Sequence, residues 1–403
     1  MKFRTFPPDP DPDSIEASLD AGNEEIVVDK NGLLRQAGAT FSDTEVREMK
    51  GKAERSLYYF YKYIVSAGRR QIMSPYLHGS MCNFLQKTPP YRKGEIIPRG
   101  HLKSSIASQA LPMHIQIQPE AHNIYWPGLD GSEMRILLAG EKQDMMKGHM
   151  RFIQTQYESN KWIRAFWLED GKIWDDPRRQ AILWNAVEMI LPRQSGQDSA
   201  DPSMRITGVG GAITGAHPNV IIKDDLISLE AANSPIVMQT AYEWHLASRA
   251  LLAPDEDRGL EFIIGTRWAV SDIYEQIMAT DPSVAWMVRA IVEDGKPIWP
   301  EQKTMADVEK LRKDHGAQFY LLYMNSAADP ELTDFHEKDF RYYTVEGDAF
   351  VLSEDNRDVL LHARLNPTED DAQAPLPDTY GKPLTDQLYN ELAERRIGWR
   401  FRS

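Results

Sequence analysis

Apolar and polar positions along the chain sort into short apolar runs, each followed by a stretch of helical periodicity. Gly94-Glu-Ile-Ile97 closes one such run, and the segment from Lys103 towards Ile117 then reads as a helix interrupted near Pro112. Glu133 to Gly140 predicts a buried strand ending in glycine, with a helix from Lys142 towards Ser159 behind it. Ala181 to Ile190 and Met204 to Val209 predict two more strands. Pro218 to Asp225 is an apolar strand ending in paired carboxylates, and Leu260 to Trp268 is another ending in Gly-Thr-Arg. Between these two, Ser234 to Leu252 reads as an amphipathic helix. Helical stretches at 302–314 and 316–325 follow Trp299-Pro300. Strands alternating with helices at this spacing predict an α/β domain with a largely parallel sheet flanked by helices.

The flanks read differently. Pro7 to Asp13 is proline and acid with nothing to bury, which predicts an extended arm. Helical patterning starts at Phe41-Ser42-Asp43, where Ser42 and Glu45 resemble a capping box. Leu57 to Val65 is dense in aromatics and predicts a helix buried against the next domain, and Ser74 to Leu85 predicts a turn and then a helix. From Ala327 the chain turns acidic and proline-rich, with Glu369-Asp-Asp371 and Pro375-Leu-Pro377. Three regions follow: an N-terminal arm over 1–56, the α/β domain over 57–330 with a helical lid near 302–325, and a C-terminal extension over 331–403.

Composition narrows the classes. A chain of 403 residues that is 42% apolar has room for a real core. No apolar run is long enough to span a bilayer, and Met1 to Pro8 lacks a signal-peptide apolar region. Cys82 is the only cysteine, which excludes an internal disulfide and a cysteine-based zinc site and fits a reducing cytoplasm. A net charge of −14 is the wrong sign for coating nucleic acid, so any DNA contact has to come from a local patch, a partner or a ring of subunits.

Candidate chemistry collects at three strand ends. After Pro98, the segment Arg99-Gly100-His101-Leu102-Lys103-Ser104-Ser105 has the strand, tight turn, Lys-Ser, helix layout of a phosphate-binding loop. Leu102 stands where the usual pattern has glycine, and Gly100 lies three residues before the lysine. Asp224-Asp225 and Thr266-Arg267 close the other two strands. In open α/β sheets, ligands bind at the carboxyl ends of strands. Phosphoryl transfer asks for positioning and charge neutralisation, which this set can supply. Lys103 is expected to neutralise the outer phosphates of ATP, Ser104 and Asp224 to hold Mg²⁺, and Asp225 to orient or deprotonate the attacking water.

Those segments carry a resemblance. Arg99 to Ser105, Gly210 to Gly215 leading into Val220 to Asp225, and Phe262 to Trp268 with Asp272 resemble the large terminase subunits of tailed bacteriophages. Phe319 to Asn325 looks like that family's aromatic segment, and the resemblance spans roughly residues 57–330. It implies a P-loop ATPase that drives double-stranded DNA into a procapsid in the cytoplasm of an infected bacterial host. The implied partners are a small terminase subunit, the portal protein and further copies of the chain in a ring. By the resemblance, Thr266 matches the motif that couples hydrolysis to movement, and Asp225 the catalytic acid, usually Glu. Tyr76 stands where the family often has an adenine-reading glutamine and is a stacking candidate. Arg99, Arg205 and Arg267 are candidates for an arginine finger, with Arg99 favoured because it lies in the loop. The family's nuclease domain is expected to be missing: Phe350 to Asp355 matches a first strand, without the other carboxylates. The alternatives are a helicase-like DNA-dependent ATPase and an assembly factor switched by nucleotide with little turnover.

Overall fold

The computed structural model describes residues 43–65, 73–193, 195, 201–211, 217–232, 234–252, 259–316 and 318–326, together with strand backbone at 26–28, 34–36, 343–346, 349–354 and 357–361. The proline-rich arm, Ser42, residues 212–216 of the glycine-rich segment, Asp355 and the 369–371 acids lie outside the described residues. The chain divides into two compact units, Met1–Ala327 and Ala328–Ser403.

In the first unit, β1 (Ile26–Val28) and β2 (Leu34–Gln36) form a two-stranded antiparallel ladder. The main sheet contains β3 (Arg92–Ile96), β4 (Ile136–Gly140), β5 (Glu188–Met189), β6 (Met204–Gly208), β7 (Val220–Asp224), β8 (Leu260–Gly265) and β9 (Ala285–Val288). Its seven strands run in the order β5-β6-β4-β7-β8-β3-β9, and every pairing is parallel except that of β5 with β6. β10 (Val292–Glu293) and β11 (Lys296–Pro297) make a small separate hairpin. In the second unit, β12 (Tyr343–Glu346), β13 (Ala349–Glu354) and β14 (Arg357–Leu361) form an antiparallel meander.

Helices cover both faces of the main sheet, and strand alternation assigns each residue its side. Val220 and Ile222 of β7, Phe262 and Ile264 of β8, and Leu138 of β4 bury against Leu57, Phe60, Leu85, Ile106 and Leu111 on one face. Ile221, Ile263, Leu137 and Ile96 point the other way, towards Met238 and Trp244 of the helix Pro235–Arg249 and Ile273 and Ile277 of the helix Ile273–Thr280. The aromatic segment at 57–65 is helical and its Tyr59, Phe60, Tyr61 and Ile64 are buried, as its pattern predicts. The helices Met305–His315 and Gln318–Leu322 build a smaller core around Ile291, Val308 and Phe319.

Two expectations fail for local reasons. Residues 181–190 do not make a strand: only Glu188–Met189 pairs with β6. The Asn185 side chain accepts from the backbone N–H groups of Val187 and Glu188, turning the chain, and Ile182 is 71% exposed. Pro112 does not interrupt its helix. Ser105–Ala110 is a π-helical stretch whose last turn is closed by Leu111 N–H on the Ile106 carbonyl, and Leu111–Gln116 continues as α-helix. The widened register absorbs a residue that has no N–H and would clash with the carbonyl four residues back.

A buried ionic cluster crosses the centre of the second face. Lys223 of β7 and Glu261 of β8 are fully buried and paired with one another, and Lys223 also meets the His245 ring and carbonyl. Arg92 of β3 donates to the same Glu261 carboxylate at 2.6 Å and to Asp281 at 2.7 Å. Burial pushes the Glu261 carboxyl up, but Lys223, His245 and Arg92 outweigh it and hold the group at about 2.

Replacing one partner strands a buried charge, so Glu261→Gln is expected to cost about 3–5 kcal/mol in urea unfolding. The double variant Lys223→Met/Glu261→Leu is expected to recover part of that loss, because Arg92 keeps Asp281. The Glu261 carboxyl titrates lower in the folded chain than its ordinary 4.5, so its stabilisation is complete above that pH and fades as the pH falls towards about 2. Parental chain and Glu261→Gln should therefore converge in stability through that acid window. A single-variant cost below about 1 kcal/mol refutes the cluster's structural weight.

Candidate functional site

Three neighbouring parallel strands, β7, β8 and β3, end side by side, and their C-terminal extensions build one concave surface. β8 lies between the other two, so Thr266 emerges between the loop after β3 and the carboxylates after β7. A cavity of about 570 Å³ opens there, within the usual range for small-molecule sites. Arg99, Lys103, Glu141, Asp225, Thr266 and Trp268 are among its lining residues.

The loop after β3 is shaped by backbone conformation. Gly100 and Leu102 both have positive φ, +81° and +62°. The second value belongs to the slot where the familiar pattern has glycine, so the leucine takes the glycine's left-handed conformation. That costs roughly 1–2 kcal/mol for a residue with a Cβ. Leu102 packs against the main core, an apolar contact a glycine would lack. His101 is buried, its Nδ1 lies 3.0 Å from the Arg99 carbonyl, and its ring lies against Trp299. Burial holds its imidazole down at about 4, so it is neutral near pH 7. Helical turns begin at Lys103-Ser104, and the Ile106 N–H closes the first on the Leu102 carbonyl at 3.0 Å. Ser105 opens the π-helical stretch.

Ser104 and Ser108, four residues apart on one helix face, both donate to Asp224, at 3.0 Å to Oδ1 and 2.6 Å to Oδ2. His149, reaching in from the helix Gln143–Ser159, places Nε2 3.8 Å from Asp224 Oδ2. Asp224 is nearly fully buried. Lys103 Nζ lies 3.2 Å from Asp225 Oδ2. Asp225 sits at φ +45°, a conformation aspartate tolerates better than most side chains, and this turns its carboxylate towards the lysine. Its side chain keeps 31% exposure, yet Oδ1 is shielded from solvent and has no hydrogen-bond partner among the described residues. Desolvation raises the Asp225 carboxyl above its ordinary value; Lys103 opposes that shift and the neighbouring Asp224 reinforces it.

Thr266 is buried, and its Oγ1 likewise has no partner among the described residues. Unpaired buried polar atoms are uncommon in folded proteins, and three cavity-lining residues, Asp225, Thr266 and Trp268, each carry one. Arg99 holds its guanidinium 5.4 Å from the Trp268 ring centroid, and its backbone N–H donates to the Leu322 carbonyl, fastening the loop to the 318–322 helix. The other two arginine candidates are committed elsewhere. Arg267 is buried and bound to Asp272 and Glu275, and Arg205 pairs with Glu188 at the sheet edge.

The fold therefore brings Arg99, Lys103, Asp225 and Thr266 to one cavity, with Ser104 and Asp224 joined beside them. Tyr76 is not part of that lining. It is half exposed, its ring lies 5.0 Å from the Arg289 guanidinium, and its helical turn reaches the loop through His78, which bonds the His101 backbone and lies against Trp299 beside the His101 ring. Sequence reasoning missed Ser108, His149, Glu141 and Ser228. Glu141 was detectable as the first residue after a buried strand; Ser108, inside a buried helical run, His149 and Ser228 carry no local signal.

Among the described residues no three His, Cys, Asp or Glu side chains converge as a metal cage. A divalent cation here would be held by the Ser104 hydroxyl and the Asp224 carboxylate, with its remaining positions left to water and ligand oxygens. That hard, oxygen-only, carboxylate-poor set fits Mg²⁺. Scanned against protein-family models and compared with curated proteins, the sequence returns no match.

Because the Thr266 hydroxyl has no hydrogen-bond partner among the described residues, removing it should not weaken the fold. Thr266→Val is expected to unfold in urea within about 1 kcal/mol of the parental chain, or slightly above it. A loss of more than about 2 kcal/mol would mean that this hydroxyl has a structural bond.

Proposed function

We propose that the chain is the Mg²⁺-dependent ATPase motor subunit of a viral DNA-packaging terminase. The observation that carries the ATPase reading is the meeting of Lys103 and Thr266 in one cavity at adjacent strand ends, with the bonded Ser104–Asp224 pair beside it. Lys103 supplies a point charge for the outer phosphates, and the backbone turn at Gly100 to Lys103 leads into helical N–H groups suited to an anion. Mg²⁺, when bound beside Ser104 and Asp224, adds neutralising charge to the phosphate oxygens. Arg99, already in the cavity, can stabilise charge that develops during phosphoryl transfer. Thr266 sits where a hydroxyl can sense the terminal phosphate and pass the change to the helix that follows β8.

The packaging level of the proposal rests on the sequence resemblance. It brings double-stranded DNA as the substrate track, a small terminase subunit and the portal protein as partners, and a ring of copies as the active form. The place of action is then the cytoplasm of the infected bacterial host, and the second unit carries no assigned nuclease role. A second reading, a nucleotide-switched assembly factor with little turnover, draws support from the Lys103–Asp225 ion pair. That pair occupies the lysine a phosphate would need.

Phosphate release measured with and without double-stranded DNA separates the two. DNA-stimulated release is expected, and its absence in the assembled complex favours the switch. Lys103→Ala is expected to lower ATP hydrolysis by about 10²–10³-fold or more, by removing the charge aimed at the phosphates. Near-parental turnover in that variant sinks the loop assignment.

A further inference from the structure

We propose that Glu141, rather than Asp225, is the catalytic base of this site. The proposal rests on the nucleotide-hydrolysing reading of the cavity and goes beyond it by assigning the proton transfer. Glu141 is the first residue after β4, and β4 lies next to β7 on the side away from β8. Gly140 pairs with Asp224 in register, and the Glu141 N–H donates to the Asp225 carbonyl at 3.1 Å. The two acids are thus neighbours across a strand boundary, and both line the cavity.

Their side chains are engaged differently. Asp225 faces Lys103 at 3.2 Å, so its carboxylate holds the lysine. Glu141 has no ion pair among the described residues; the neighbouring Lys142 pairs with Glu230 instead. One Glu141 oxygen, Oε1, accepts from the Ser228 hydroxyl at 2.7 Å. That bond fixes the carboxylate and leaves Oε2 free to accept from water. A base must be oriented with an oxygen turned to water; the Ser228 hydrogen bond orients Glu141 in this way, whereas the Asp225 carboxylate is built as the partner of Lys103. Glutamate also has the additional methylene that Asp225 lacks.

In the proposed step, the water oxygen attacks the terminal phosphorus while one water proton passes to Glu141. The bond from that phosphorus to the bridging oxygen breaks, and its electron pair leaves with ADP. Phosphate carries the new P–O bond, and Glu141 later returns its proton to solvent. Asp225 then serves as a positioning residue for Lys103.

The test compares the full parental chain with Glu141→Gln and Asp225→Asn, measuring MgATP binding by titration calorimetry and hydrolysis in single-turnover experiments with double-stranded DNA present. Glu141→Gln is expected to bind MgATP within about threefold of the parent and to hydrolyse it about 10²–10⁴-fold more slowly, the size of a lost general base. Asp225→Asn is expected to lose less rate than Glu141→Gln. Hydrolysis by Glu141→Gln within about threefold of the parent overturns the assignment, and so does equal loss of binding and rate, which marks a wall residue. If Glu141→Gln shows no melting transition, Glu141→Asp decides: intact binding with hydrolysis slowed at least about tenfold supports the proposal, and parental rate overturns it. A parental chain that neither binds nor hydrolyses ATP fails the nucleotide reading itself, an outcome distinct from any difference between variants.

Discussion

Glu261 fixes the register on which the candidate site depends. Its buried carboxylate is held by Lys223 from one neighbouring strand and Arg92 from the other, so one acid ties β7, β8 and β3 together. Those same strands deliver Asp224, Thr266 and the Arg99 to Ser104 loop at their far ends. Sliding any one of them by a single residue would exchange the two buried faces it presents and break the ionic contacts at once. A hydrophobic sheet centre could be as stable, yet apolar contacts tolerate slippage that a paired charge does not. In this fold the charge cluster sets where the strands stop relative to one another, and the cavity follows from that alignment.

The candidate site was legible in sequence to the extent that it is built from strand ends. Apolar runs finishing in Lys-Ser, Asp-Asp and Thr-Arg announce themselves, and the parallel sheet makes them converge. What pairs with what was not legible. Nothing near Asp225 in the chain says that Lys103 will face it, because the contact depends on β8 being inserted between β3 and β7. Nor does the local pattern say that Asp224 will take two serines, since Ser108 falls inside a run that reads as ordinary buried helix. The segment 181–190 has enough apolar residues for a strand, but one asparagine side chain captures the backbone donors first. Pro112 looks like a break only if every helical turn has α geometry. The π-helical stretch before it supplies a wider one, and that stretch begins immediately after the two residues assigned to phosphate and metal.

Under the nucleotide reading, the Lys103–Asp225 pair is the contact that a phosphate has to displace. Binding a phosphate has to draw Lys103 off Asp225, and the carboxylate it leaves is poorly hydrated and beside a second acid. That exchange is favourable only if the departing lysine meets more negative charge than it gives up, which a polyphosphate provides and a monoanion does not. Asp225 follows Asp224 directly, while its own backbone N–H is bonded to Ile264 two residues before Thr266. Any rotation of Asp225 on losing the lysine is therefore felt at the end of β8, next to the buried Thr266 hydroxyl that has no partner of its own. From there Arg267 is clamped through Asp272 and Glu275 to the first turn of the helix Ile273–Thr280. Under that reading, these bonds in one small region would link phosphate occupancy to the position of that helix, giving a change in charge at Lys103 a short mechanical route out of the site.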